Sequence, residues 1–333
     1  MCASYVNNDF QTIVERLGSS GTFLVLTHAR PDGDGLGTIA AMASAGRCAG
    51  KIVHMLVPDT VPPRYEFLFS GGLPAGADEF EKLADESDLI VVVDTCAFAQ
   101  LDGLETGLHA RREKVVVIDH HATADNVGSV RWLDTSASAV GVMVAEVIEA
   151  LGWSVDTCAA EALMTAIATD TGWFRFSNTD PRTLRAAAKM LERGARADLL
   201  YAKIYLSDRP ERLRLLERML ASLELHCRDR LAVMTVRRSD FNETGARADE
   251  TEDLVNEALR LKSVEVVVLL VEEPDCVRAS LRSREIVDVS SVAARFGGGG
   301  HARAAGLRTD EEMEILKKRL IETCSAELDS ANR

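Results

Sequence analysis

The sequence lacks the features that mark secreted, membrane-spanning and disulfide-stabilised proteins. Its seven cysteines are odd in number, widely scattered and without a CxxC pair, which argues against a disulfide framework or a zinc knuckle. The longest apolar runs, such as 89–93 and 115–118, are far shorter than the roughly 18 residues that span a bilayer. The amino terminus shows no charged start followed by an apolar stretch and a small-residue cleavage site. We therefore expect no secretory signal, no transmembrane helix, no membrane partner and a cytoplasmic location.

Positive charge is also in deficit. The chain has 38 Lys and Arg residues against 52 Asp and Glu residues, so its formal net charge is −14. This excess of acid argues against a protein that coats long duplex nucleic acid by neutralising phosphates. It leaves room for a small phosphorylated substrate in a local basic pocket. Some of the carboxylates could also gather to hold a divalent metal ion.

The composition that is present fits a globular protein with a sizeable core. Of the 333 residues, 47% are apolar and 27% are charged, and this length predicts two domains. We place them at residues 1–195 and 227–333, with a helical linker over 196–226. The linker has a charged helical pattern, interrupted by Ser-Asp-Arg-Pro at 207–210.

Four continuous apolar runs in the first domain predict strands that are buried on both faces. Helical patterns follow them, so we expect an α/β domain with a mainly parallel sheet flanked by helices. The second domain is predicted to be a smaller α/β unit. The first-domain strands are expected at 22–27, 51–57, 89–94 and 114–119, and its later helices at 136–150, 156–168 and 180–194. Second-domain strands are expected at 231–236, 264–270 and 276–283, and helices at 249–261, 288–296 and 309–326.

Acidic and histidine residues recur where predicted strands and one helix end. Because the carboxyl ends of parallel strands meet at one crevice, we expect these side chains to lie together. In chain order they are His28, Asp32 and Asp34 after the first strand, Asp94 after 89–93, Asp119, His120 and His121 after 115–118, and Asp170, which opens a loop after a helix.

This mixed set of imidazoles and carboxylates suits Mn²⁺, with Mg²⁺ or Co²⁺ as substitutes, better than zinc held by thiolates. Two ions are more plausible than one, since a carboxylate such as Asp94 can bridge metals about 3.5–4 Å apart. Such a pair would deprotonate a shared water and polarise a phosphoryl group. The expected reaction is hydrolysis of a phosphate ester by attack of a hydroxide bound to both metals.

Five sequence segments resemble the motifs of a known superfamily. HARPDGDGLGT, VVVDT, DHH and TDTGWF, in this order, look like the four motifs of the DHH phosphoesterases. GGGGHARAAG at 297–306 resembles the signature of the DHHA1 domain that follows in that superfamily. A chain with only these two domains is similar to the bacterial NrnA-type enzymes. The resemblance implies degradation of oligoribonucleotides of a few residues to mononucleotides, and dephosphorylation of 3′-phosphoadenosine 5′-phosphate to AMP.

The resemblance also implies a role for each of these positions. It assigns one Mn²⁺ to His28 and Asp32, the other to Asp34, His120 and Asp170, and a bridging position to Asp94.

Two further positions would act on the substrate or beside it. His121, the last residue of DHH, is expected to face the scissile phosphate, and Asp119 to orient the adjacent histidines.

Thr38 departs from the superfamily pattern, which more often has Ser there, but it keeps a hydroxyl. Trp173 and Arg175, close to Asp170 in the sequence, are candidates for stacking a base and reaching a phosphate.

The glycine-rich segment is the predicted phosphate-binding element. Glycines let the backbone approach a phosphate and present N–H groups to it. Between 277 and 308 there are six arginines against two acidic residues, although the whole chain is acidic. We expect the substrate to contact Gly298, Gly299, Gly300, His301, Arg303 and Arg282.

The expected partners are short single-stranded RNA or DNA and phosphorylated nucleotides, and a homodimer is possible. A RecJ-like single-strand DNA exonuclease is an alternative, but such enzymes usually carry an OB-fold domain for which 333 residues leave no room. A pyrophosphatase of the same superfamily would have a different second domain. A catalytically inactive nucleotide-binding scaffold is a third alternative, against which the intact ligand set argues.

Overall fold

The chain divides into two compact units, Met1–Ser207 and Asp208–Arg333. The computed structural model describes residues 6–121 and 124–330. The domain limits given above stay a prediction. Within the described ranges, no helix combines the length and the apolar character needed to cross a membrane.

A six-stranded sheet lies at the centre of the first unit. Its strands are β1 (Val6–Asn8), β2 (Thr22–Leu26), β3 (Ile52–Leu56), β4 (Leu89–Val93), β5 (Val115–Asp119) and β6 (Val130–Asp134). Their order across the sheet is β1-β6-β5-β4-β2-β3. All neighbours pair in parallel except β1, which joins β6 antiparallel at one edge. The mainly parallel α/β fold is therefore confirmed.

The α-helices found in the described part of the first unit cover both faces of the sheet. They are α1 (Phe10–Ser19), α2 (Gly33–Cys48), α3 (Phe80–Asp85), α4 (Glu105–Ala110), α5 (Val140–Ala150), α6 (Thr157–Asp170), α7 (Pro181–Glu192) and α8 (Ala197–Tyr205). Short 3₁₀ turns lie at Pro63–Leu68, Ala77–Glu79, Phe98–Gln100 and Arg112–Lys114.

The side chains of β4 show why two layers of helices are needed. Val91 packs into a core with α2, α5 and α6, whereas its neighbours Ile90 and Val92 pack on the opposite face with α3 and α4. Every residue of β4 and of β5 is buried. Successive side chains of a strand point to opposite faces, so a continuous apolar run places apolar side chains against both layers of helices.

Helices α2 and α6 approach each other through small residues. A Cβ atom at Gly37 would meet the carbonyl oxygen of Ala162 at 2.4 Å and the amide nitrogen of Ala166 at 2.9 Å. At the start of α2, a Cβ at Gly33 would meet the Thr169 side chain at 2.4 Å. This close contact brings the first turn of α2 to the last turn of α6.

The second unit is built on a separate six-stranded mixed sheet. Its strands are β7 (Glu224–His226), β8 (Leu231–Val236), β9 (Val266–Glu272), β10 (Val277–Ser283), β11 (Gly299–His301) and β12 (Ala304–Thr309), and its helices are α9 (Pro210–Ala221), α10 (Arg238–Thr244), α11 (Val289–Ala294) and α12 (Met313–Ser330). The sheet order is β11-β12-β10-β9-β8-β7, and only β8 and β9 pair in parallel.

One local expectation for the second unit was wrong. The helix expected at 249–261 is a pair of 3₁₀ turns, Ala248–Thr251 and Leu254–Arg260, because Asp253 between them adopts a left-handed backbone with φ +64°. Within the glycine-rich segment, Gly299–His301 form β11 and pair with β12.

We expect Gly37→Ala to destabilise the first unit by about 2 kcal/mol, because an added methyl group meets backbone atoms that cannot move alone. The measurement is urea unfolding followed by circular dichroism. Gly71→Ala is the matched control, since its Cβ would have no neighbour within 4 Å, and it should change the free energy of unfolding by less than about 0.5 kcal/mol. Equal stability of the two variants would contradict the packing described for α2 and α6.

Candidate metal centre

The side chains that follow β2, β4 and β5 meet at the carboxyl edge of the first sheet. These three strands are neighbours in the order β5-β4-β2, so their carboxyl ends lie side by side. Asp119 is the last residue of β5, and Asp94 directly follows β4. Asp170 proves to be the last residue of α6 rather than the first of a loop. The close packing of α6 against the start of α2 brings Asp170 near Asp34.

Among the residues that the structure describes, three groups of three have ligand atoms that all lie within 4.8 Å of one another. The first group consists of His28, Asp32 and Asp94. In it, the Nε2 atom of His28 lies 3.4 Å from Asp94 Oδ2 and 3.8 Å from Asp32 Oδ1. The first group therefore has the composition and spacing of a possible metal site.

The second group consists of Asp34, His120 and Asp170. The Nε2 atom of His120 lies 3.7 Å from Asp170 Oδ2 and also 3.7 Å from Asp94 Oδ1. Asp94 thus presents one carboxylate oxygen to each group. A third combination that could hold an ion, Asp94 with His120 and His121, shares residues with these two groups.

Backbone carbonyls set the orientation of both histidines that face the carboxylates. His28 Nδ1 lies 2.9 Å from the carbonyl oxygen of Ala29, and His120 Nδ1 lies 3.0 Å from that of Ala137. A carbonyl can only accept, so each Nδ1 donates and each Nε2 is directed at the carboxylates. This is the arrangement in which an imidazole binds a metal ion through Nε2.

Asp34 is held by the amino terminus of α5. Its two carboxylate oxygens accept hydrogen bonds from the amides of Val140, at 2.6 Å, and Gly141, at 2.8 Å. The side chain is almost fully buried. Backbone amides at a helix start stabilise negative charge, so they fix this carboxylate where other acids crowd it.

Asp119 organises the two histidines that follow it. Its Oδ1 accepts hydrogen bonds from the amides of His120 and His121 and lies 2.7 Å from His121 Nδ1. The Asp119 side chain is fully buried. Asp119 therefore contacts the ring of His121 directly and His120 through its backbone only.

The electrostatics of the centre favour bound positive charge. Burial, together with the charges of Asp94 and Asp170, raises the pKa of Asp34 well above its ordinary value. Burial raises the pKa of Asp170 to about 7, against the opposing effect of His120. Burial would lower the pKa of His28, but the facing carboxylates outweigh it and raise that pKa to about 11. Protons or metal ions relieve the same repulsion, so the residues fit a divalent metal centre.

The backbone at Asp94 is a second sign of a specialised site. Asp94 has φ +64° and is 2% exposed. A left-handed conformation is uncommon for residues other than glycine, and such strain is concentrated at functional sites. The turn carries Asp94 away from β4 so that its two oxygens can face different histidines.

Comparison with known proteins places the chain in a family. The model of the DHH family, N-terminal domain, matches residues 22–167, and the model of the DHHA1 domain matches residues 229–326. The chain belongs to the DHH/DHHA1 phosphoesterases and is a hydrolytic enzyme of that class.

Among particular relatives, the chain is NrnA-like. It is 29% identical to the bifunctional oligoribonuclease and PAP phosphatase NrnA of Thermus thermophilus, over 93% of this chain and 91% of that protein. It is 27% identical to the NrnA of Bacillus subtilis, over 88% of this chain and 91% of that protein.

Solved structures share the fold. An exopolyphosphatase-related protein from Bacteroides fragilis superposes with a TM-score of 0.93 at 22% identity, covering 100% of both chains. The exonuclease RecJ bound to manganese superposes with a TM-score of 0.54 at 16% identity, covering 97% of this chain and 95% of that one. These likenesses establish the architecture alone.

The residues predicted to bind substrate lie in the second unit, with Arg282 on β10, Gly299, Gly300 and His301 on β11, and Gly298 and Arg303 on either side of β11. A Cβ at Gly298 would meet the carbonyl oxygen of Gly306 at 2.3 Å, so glycine is required there by close backbone packing. Arg303 donates to the carbonyl of Val287, and burial lowers the pKa of Arg282. The side chain of His301 lies outside the described residues.

Several groups that hold the centre together were missed by sequence reasoning. The carbonyls of Ala29 and Ala137 and the amides of Val140 and Gly141 are backbone atoms. Backbone atoms leave no signature in a sequence, because every residue supplies them.

Trp173, raised as a candidate for base stacking, packs edge-on against Tyr201 and Tyr205.

We expect Mn²⁺ to stabilise the folded protein, by about 2.7 kcal/mol at a concentration 100-fold above its dissociation constant. Asp94→Asn should remove most of this gain, since Asp94 faces both histidines. The measurement is thermal unfolding with and without Mn²⁺. Asp59→Asn, an exposed control, should keep the full gain. A full Mn²⁺ response in the Asp94 variant would contradict the centre described above.

Proposed function

We propose that this protein is a Mn²⁺-dependent phosphoesterase that hydrolyses short oligonucleotides to mononucleotides and 3′-phosphoadenosine 5′-phosphate to AMP. The observation that carries the proposal is the meeting of two imidazole–carboxylate groups around Asp94 at the carboxyl edge of a parallel sheet. The substrate class is supported by the similarity to proteins named as oligoribonuclease and PAP phosphatase.

The proposed metal ligands are the residues of the two groups. His28 and Asp32 would hold one ion, Asp34, His120 and Asp170 the other, and Asp94 would contact both. Mixed imidazole and carboxylate donors suit Mn²⁺, with Mg²⁺ or Co²⁺ as substitutes. When bound, such ions lower the pKa of water and neutralise charge that develops on a phosphoryl group.

The protein's own side chains would orient the phosphate and hold the ligands. Asp119 fixes the His121 ring through the 2.7 Å contact with Nδ1, so this ring can take one defined position beside Asp94. We assign to His121 the contact with a non-bridging oxygen of the scissile phosphate. Because Nδ1 donates to Asp119, Nε2 can donate to the phosphate only from the protonated ring; burial would lower the pKa of His121, but Asp119 and Asp94 outweigh it and raise that pKa to about 9. Such a preorganised donor stabilises charge without having to reorient during the reaction.

In the second unit, we assign substrate phosphate to the glycine-rich strand β11 and to the arginines near it. Gly300 has φ +139°, a backbone that favours glycine, and β11 pairs with β12 along the sheet edge. Gly299 would have no neighbour within 4 Å of an added Cβ, so one side of its backbone is accessible. An exposed glycine-rich edge strand together with Arg282 and Arg303 suits a phosphorylated ligand.

The substrate assignment is tested by comparing initial rates with Mn²⁺ on a panel of labelled dinucleotides, longer RNA and DNA chains, and 3′-phosphoadenosine 5′-phosphate. We expect the dinucleotides and 3′-phosphoadenosine 5′-phosphate to be hydrolysed faster than chains of about 20 nucleotides, a length greater than one binding groove contacts. A strong preference for long DNA would overturn the substrate class and favour a RecJ-like exonuclease.

The catalytic centre is tested separately with His120→Ala. Loss of this imidazole removes a ligand of the second group, so we expect hydrolysis of every substrate in the panel to fall by at least about 100-fold. His109→Ala is the matched control, because His109 is exposed and packs against Phe98 outside both groups. If the His120 variant hydrolyses the substrates as fast as the control, the site assignment is wrong.

A further inference from the structure

The backbone segment 137–141 contacts two different residues of the second group. The carbonyl of Ala137 binds His120 Nδ1, and the amides of Val140 and Gly141 bind the carboxylate of Asp34. In the sequence, Asp34 lies more than 100 positions before Val140, and His120 lies 17 positions before Ala137. The position of one short segment therefore sets the positions of both side chains.

Asn178 connects this segment to the third member of the group. Its Nδ2 atom lies 3.1 Å from the carbonyl oxygen of Ser138 and 3.2 Å from that of Asp170. A carboxamide has two N–H donors, so it can serve both carbonyls at once. Asn178 thus joins the segment 137–141 to the carboxyl end of α6, where Asp170 lies.

A buried hydroxyl pair supports the same segment from α7. Ser138 Oγ lies 2.6 Å from Thr183 Oγ1, and the Thr183 hydroxyl lies 2.6 Å from Asp180 Oδ1. Because a carboxylate can only accept, Thr183 donates to Asp180 and Ser138 donates to Thr183. This contact holds the segment in place on the side of α7, but it does not reach Asp170.

The first group is oriented by different contacts. Asp32 accepts hydrogen bonds from the amides of Asp34 and Gly35 in the first turn of α2, and His28 donates to its neighbour Ala29. None of these contacts involves Asn178. The two groups therefore share Asp94 but have separate orienting contacts.

We propose that Asn178 is a positioning residue for the second metal group, holding Asp170 in register with Asp34 and His120. The inference rests on the proposed function, since it takes both groups as metal sites. Without Asn178 the carboxyl end of α6 keeps its apolar packing against the segment 137–141 but loses the hydrogen bonds that fix Asp170 relative to Asp34 and His120. The affinity for one of two ions should fall while the other ion is retained.

The test is calorimetric titration of Mn²⁺ into wild-type protein and Asn178→Ala. We expect two binding events in the wild type, and in the variant about tenfold weaker affinity for one of them. Asn178 is an exposed residue, so the melting temperature without metal should change by less than about 4 °C. Ser177→Ala is the matched control, because Ser177 makes no side-chain hydrogen bond within the ranges the structure describes, and it should titrate as the wild type.

Asn178→Asp separates the hydrogen bonds from simple charge. This change removes both donors but adds a negative charge near the cation site, so a purely electrostatic role would strengthen Mn²⁺ binding, whereas a positioning role weakens it. Two unaltered binding events in both Asn178 variants would overturn the inference. Fewer than two events in the wild type would instead overturn the two-ion centre on which it rests.

Discussion

The crowding of buried carboxylates is the constraint on which the first unit depends. Asp34 and Asp94 lie almost fully out of water within reach of Asp170, and burial raises the pKa of all three. Like charges in such a place destabilise a fold unless fixed dipoles and cations compensate for them. The amides at the start of α5 and the histidines facing Asp94 supply part of that compensation. The negative charge that these groups leave uncompensated is what suits the centre to divalent ions.

The helix packing and the chemistry are two aspects of one arrangement. Small residues let α2 approach α6 until a Cβ at Gly33 would overlap the Thr169 side chain. This approach brings Asp34, in the first turn of α2, to Asp170 at the end of α6. A larger residue at the contact would separate the two helices. Asp34 would then lie farther from Asp170, the other carboxylate of the second group. Packing in the core thus sets a distance in the site.

Much of the fold could be predicted because its central strands carry a continuous apolar pattern. Strands β4 and β5 consist of Leu, Ile and Val up to their last positions, which is typical of strands covered on both faces. Strand β6 escaped prediction, since Arg131 interrupts its apolar residues and its first positions are only half-buried. The 3₁₀ turns around Asp253 escaped as well, because a left-handed residue within a helical pattern has no clear sequence signal.

The sequence by itself determined the class of the protein and the eight residues that gather at its centre, because side chains with metal chemistry follow strands whose carboxyl ends must converge. Only the tertiary structure decided which backbone and side-chain groups orient those residues. Asp94 turns one oxygen to His28 and the other to His120, and the segment 137–141 holds Asp34 and His120 together. Such orientation comes from backbone carbonyls and amides, which every residue has and which acquire a role only when folding places them.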